Sequence, residues 1–181
     1  VLIIDGPEEK RKFFDSDVVS CMSNLCFLSD SEKQAIIDKG SEIIDMTDGL
    51  LEKEGVDAHH DKCVEELNKD RTVRKLVHFI RTEKPAFQPN IFMMDLVRVV
   101  AVTPRKLHPR ILAQDGAFLL FGLFPFDAKM NWMDDFKITS IDISGSAKAR
   151  IISELRSIGV NQETLFPEIE NSSRQIKQKY S

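Results

Sequence analysis

Arg110 and Gln114 stand four residues apart in His108-Pro109-Arg-Ile-Leu-Ala-Gln114, where proline occupies the first position of a short helix. That spacing puts both side chains on one helix face, pointing toward the mouth of the apolar run Ala117–Phe121. A planar guanidinium beside a carboxamide can grip a phosphate or the amide of a nicotinamide. The local alternative has Gln114 satisfying backbone groups at the turn and Arg110 pairing with a nearby carboxylate.

Four other groupings could carry chemistry. His59, His60 and Cys63 have helical spacing, and His59 shares a face with Cys63, as two metal ligands would. No second ligand pair is visible, and Asp57, Asp61 and Glu65 make the stretch read as a solvated helix face, so no metal is expected. His78, between Val77 and Phe79, reads as a core-edge histidine rather than a base. Ser144-Gly145-Ser146 before Ala147-Lys148 would open a helix with free N–H groups that suit an anion. It lacks the spacing of a phosphate-binding loop, and an ordinary cap is the simpler reading. Arg71, Arg74, Lys75 and Arg81 form one positive helix face, the best local site for nucleic-acid phosphate if the chain has one. Trp132 reads as a loop anchor, and Asn171-Ser-Ser173 matches the spacing of a glycosylation acceptor.

Bulk properties narrow the classes. The chain has 181 residues, 42% of them hydrophobic, enough for one domain with a substantial core. A net charge of −4 argues against a broad nucleic-acid-binding face. No apolar run reaches the roughly 18–20 residues of a membrane span. Three cysteines make no disulfide framework, so a reduced, cytoplasmic setting is expected.

The elements that would hold these residues are helical first. Val1–Asp5 reads as a short buried strand ended by Gly6-Pro7, and the pattern from about 8 to 84 is helical. Ser16 or Asp15 can cap a helix carrying Val18, Val19, Met22, Leu25 and Cys26. Asp30 or Ser31 can cap a longer one in which Ile36-Ile37, Ile43-Ile44 and Leu50-Leu51 recur every seven positions. That repeat predicts one apolar face, packed on its own domain rather than on a coiled-coil partner. Gly55 stops it, a weaker helix spans Asp57–Asn68, and a stronger one from Asp70 buries Val73, Leu76, Val77 and Ile80.

The section from about 90 to 181 mixes strands with short helices. Leu96–Val102, Ala117–Phe121 and Lys137–Ser144 read as strands, and Pro125–Asp135 as irregular. Ser144 or Ser146 starts a helix with Ala147, Ile151, Ile152, Leu155 and Ile158 on its inner face. Gly159 closes it, and Pro167 opens a last helix with Ile169 and Ile176. The fold class is α+β: about four helices, then a small, mostly antiparallel sheet with short flanking helices.

Several segments together resemble one family. They are Val97–Val102, Pro109-Arg110-Ile111, Ala113-Gln114-Asp115-Gly116-Ala117-Phe118, the helix from Ala147, and Leu165-Phe166-Pro167. Upstream, Phe14-Asp-Ser-Asp-Val18 leading into Asn24-Leu25, and Phe87 after Glu83-Lys84-Pro85, fit as well. This pattern is similar to the C-terminal half of the FRG domain, a bacterial and phage family named for a Phe-Arg-Gly motif. That motif does not occur here, nor does the family's later segment rich in His, Tyr, Gly, Thr, Arg, Asp and Trp. The resemblance implies that residues 1–181 form the C-terminal portion of such a domain, with Val1 inside a sheet whose opening strands lie upstream.

The complete family's layout in turn resembles ADP-ribosyltransferases, which position NAD with early residues and stabilise an oxocarbenium-like state with a late carboxylate. The late position falls on Gln114, which cannot carry that charge, so Asp115 would have to substitute. Two functions are therefore expected. One is an interaction module in a prokaryotic or phage-related setting, binding the missing N-terminal half or another protein and needing no cofactor. The other is part of an NAD- or nucleotide-directed transferase in the intact parent, with Arg110, Gln114 and Asp115 at its site.

Overall fold

A computed structural model describes residues 1–123 and 136–167, without the side chains of 48–54. The predicted loop of Pro125–Asp135 with Trp132, the last helix with Ile169 and Ile176, and Asn171 lie outside the described residues, as do the side chains of Leu50 and Leu51. The architecture is α+β with a helical first half.

Local signals set the helices. Ser16 caps α1 (Asp17–Asn24) by accepting from the Val19 amide. The long helix α2 (Asp30–Glu54) is capped by Ser29, not by Asp30 or Ser31. The reason is the Ser29-x-x-Glu32 box: the hydroxyl accepts from the Glu32 amide, and the Glu32 carboxylate accepts from the Ser29 amide at 2.9 Å. Gly55, at φ 88°, turns the chain into α3 (Val56–Lys69), so α2 and α3 pack as a hairpin. Asp70 then caps α4 (Arg71–Glu83) through the Thr72 and Val73 amides. Val73, Leu76, Val77 and Ile80 are buried as the periodicity requires, each contributing about 2 kcal/mol. They join Ile36, Ile43, Leu67 and Leu96 in the main core. Ile44 departs from its predicted face and is 45% exposed.

The predicted helical stretch is interrupted early. Arg11–Phe13 forms strand β2, which pairs in parallel with β3 (Val99–Thr103). Such a long-range partner leaves no mark on local periodicity. β3 begins later than expected because Met93–Leu96 forms a one-turn helix, α5. Antiparallel β4 (Phe118–Phe121) completes the order β2-β3-β4. Gly122 follows where the chain crosses its own backbone: a Cβ there would lie 2.0 Å from the Leu96 carbonyl oxygen.

The predicted first strand exists as β1 (Leu2–Asp5), but it is not buried; all four residues are exposed. Among the described strands it pairs with β5 (Lys137–Ser140), which is shorter than the strand expected to Ser144. Among the described residues no element packs closely over this ribbon to bury its apolar side chains.

Helix α7 (Gly145–Ser157) is closed by Gly159 at φ 84°, with the Gly159 and Val160 amides donating to Arg156 and Leu155 carbonyls. Its expected inner face is a correction: no residue of α7 is buried, and Ile152 and Leu155, with Ile158 beyond them, are exposed. The apolar stripe is real, but among the described residues nothing covers it. The final described helix, α8 (Gln162–Leu165), was not foreseen and is capped by Asn161.

Candidate functional site

The Arg110–Asp115 segment folds as helix α6 (Pro109–Gln114), with Pro109 at its first turn and the His108 ring accepting from the Arg110 amide. Asp115 ends it in the left-handed region, φ 46°. The Gly116 and Asp115 amides donate to the Ile111 and Leu112 carbonyls. Gln114 donates its Nε2 hydrogen to the Leu165 carbonyl at 2.9 Å, and the Arg110 guanidinium lies 4.8 Å from the centre of the Phe166 ring. Asp115 pairs with Lys106, which holds its carboxyl below the ordinary aspartate value. Gln114 therefore satisfies a backbone group as its local reading required, but on α8 rather than at its own turn. These contacts tie α6 to α8 at the surface.

The positive face of α4 is half committed to the fold. Lys75 pairs with Glu32 at 2.6 Å and sits over Phe79, and Arg81 donates Nε to the Phe87 carbonyl. Arg71 and Arg74 are exposed, and so is His78, which the sequence put at the core edge. Glu32 falls to about 2, because the Lys75 ammonium and the Ser29 cap both bond its carboxylate. At the start of α7, Ser144 makes no side-chain cap; its hydroxyl meets that of Ser146 at 3.1 Å.

His59 and Cys63 do converge, together with a residue the sequence reading missed. Thr47 on α2 meets His59 Nε2 at 3.1 Å and Cys63 Sγ at 3.2 Å. Its signal was legible: Thr47 and Cys63 stand equally far on either side of Gly55, so a helical hairpin must bring them together. His60 turns away and packs its ring on Phe92. Among the described residues no group of three His, Cys, Asp or Glu side chains could hold a metal ion. His59 and Cys63, but not Thr47, line a cavity of about 180 Å³ together with Gly40, Ile43, Ile44, Leu67, Phe92, Met93 and Met94. Cys21, by contrast, is buried with its thiol pushed up to about 12, by burial first and then by Asp95 and Asp17.

An apolar opening lies on the three-stranded sheet. One face, through Val100 and Val102, packs on Val19 and Met22 of α1. The other carries Phe13 at 68% and Phe121 at 45% exposure. There a cavity of about 340 Å³ is bounded by Ile4, Gly6 and Phe136 on one side and Arg11, Ala101, Thr103 and Leu119 on the other. Arg110, Gln114 and Asp115 do not line it.

Among the described residues β4 is the terminal strand of this sheet. The Gly122 amide donates to the Arg98 carbonyl, so the pairs Val100–Leu120 and Val102–Phe118 are the hydrogen-bonded ones in this register. The N–H and C=O groups of Leu119 consequently face away from β3, and no described strand pairs with them.

Compared with known protein families, curated proteins and solved structures, the chain matches none.

Proposed function

We propose that the chain is an interaction module of the FRG type that seats an extended segment of a partner protein along β4. The observation that carries this reading is the character of that edge. Monomeric proteins blunt exposed strand edges with charge, proline or bulges, because unpaired backbone groups template further pairing. Phe118-Leu-Leu-Phe121 has no charge and no proline, and both of its phenylalanines are exposed.

A fourth strand would take up the outward N–H and C=O groups of Leu119. Every second side chain would lie against Phe121 and the 340 Å³ cavity. Such a partner segment is apolar at alternate positions and free of proline. The sheet is already backed by α1, so binding orders only the incoming strand. The transferase reading gains no support from the geometry, since Gln114 donates to the Leu165 carbonyl, Asp115 pairs with Lys106, and neither lines the cavity.

The test is selection from a displayed library of random twelve-residue peptides against the immobilised chain, repeated with Phe121→Lys. Phe121 is exposed, so the variant keeps its core. Enrichment of alternating apolar peptides that the variant fails to hold is the expected result. No enrichment, or equal retention by Phe121→Lys, rejects the reading.

A further inference from the structure

We propose that the cavity between α2, α3 and α5 is a binding site for a small, neutral, apolar molecule, and that Cys63 at its wall adds covalently to conjugated alkenes held there. The walls supply the first half of the case. A cavity of about 180 Å³ compares with the ~150 Å³ apolar cavity that takes up benzene. Ile43, Leu67, Phe92 and Met93 give it an apolar lining. Ile44, also on the wall, is half in solvent and marks where a ligand enters.

The second half is hydrogen-bond arithmetic. Thr47 has one hydroxyl proton, and it goes to the Ile43 carbonyl at 2.7 Å. The Ile44 carbonyl, at 3.4 Å, is the more distant acceptor for that proton. Toward the two side chains the oxygen must accept, from His59 Nε2–H at 3.1 Å and from the Cys63 thiol at 3.2 Å. A neutral His59 then keeps its lone pair on Nδ1, 3.9 Å from Cys63 Sγ, with Nε2 at 3.7 Å from the same sulfur. The thiol has a hydroxyl to orient it, an imidazole to take its proton and an apolar space for a substrate carbon.

With a conjugated enone in the cavity the step balances without any oxidant or reductant. The thiol proton moves to His59 Nδ1, and the sulfur electron pair forms an S–C bond at the β carbon. The C=C π pair becomes an enolate, and the imidazolium returns the proton to the α carbon. The net change is addition of S–H across the double bond.

The probe is 2-cyclohexen-1-one, with benzene as a non-reacting competitor and the adducts at each cysteine measured by peptide mass spectrometry. Cys26 is exposed and serves as the internal reference. Cys63 should be labelled about tenfold faster than Cys26, with a rate that saturates in enone and falls when benzene is added. His59→Gln keeps a donor toward Thr47 but has no base; it should slow Cys63 labelling about tenfold while benzene still shifts the Met93 and Met94 methyl resonances. Ile44→Trp, a change at an exposed wall position, should abolish those shifts and the rapid labelling together, leaving Cys26 unchanged. Labelling of Cys63 that is linear in enone and no faster than Cys26 overturns the covalent step. Methyl resonances indifferent to benzene overturn the site itself.

Discussion

Asn68→Ala should loosen the join between α3 and the segment leading into α5. The Asn68 amide donates Nδ2 to the Ile91 carbonyl at 2.8 Å and to the Val64 carbonyl at 2.7 Å, and its Oδ1 accepts from the Ile91 amide at 3.1 Å. The side chain thus imitates a strand neighbour for Ile91, which is 1% exposed and has no water to replace the lost partners. Removing both reciprocal bonds forfeits about 1 kcal/mol each, and stranding buried backbone groups adds to this, for a total of about 2–4 kcal/mol. Urea denaturation at pH 7 reads the loss directly. Asn68→Asp sharpens the test, because an ionised carboxylate accepts from the Ile91 amide but repels its carbonyl. A protonated carboxyl restores both bonds, so the folded-state pKa of the new group lies above its unfolded value. The variant's deficit is full above that raised pKa and should shrink as pH falls from about 7 to about 4. A loss under about 0.5 kcal/mol for Asn68→Ala, well short of those bonds, or a pH-independent deficit for Asn68→Asp, would refute the clamp.

Three further outcomes follow. Gly122→Ala drives a Cβ into the Leu96 carbonyl, backbone that cannot swing aside; it should cost about 3 kcal/mol in urea denaturation. The Glu32 carboxyl sits near 2 in the folded chain against an ordinary 4.5, so its stabilisation is present above 4.5 and lost as pH falls through about 2. Acid titrations of wild type and Glu32→Gln should therefore differ most near pH 5 and converge toward pH 2. Gln114→Ala removes the bond to Leu165 at an exposed site, so it should cost less than about 1 kcal/mol. Amide exchange in Gln162–Leu165 should nevertheless quicken.

Much of the fold was legible because it is written locally. The caps at Ser16 and Asp70, the glycine stops at Gly55 and Gly159, and the stripe Val73–Ile80 each depend on neighbours a few residues away. Strand β2 was hidden because its partner is β3, a distant segment, and Arg11–Phe13 alone carries no periodicity. The apolar residues of β1 and α7 were read as buried on composition, but periodicity identifies an apolar face and cannot say what covers it. At the candidate sites the pair His59 and Cys63 stood out by spacing, whereas Thr47 needed the hairpin to be drawn first. The β4 edge needed the strand order itself, since Phe118–Phe121 reads the same whether central or terminal in a sheet.

The docking claim is tested most directly at one amide. In the free chain the N–H group of Leu119 faces outward and should exchange with solvent deuterium much faster than those of Phe118 and Leu120, which bond to β3. With a selected peptide bound, Leu119 should slow to match its neighbours. Protection that appears elsewhere while this amide keeps exchanging freely would contradict a partner strand on β4.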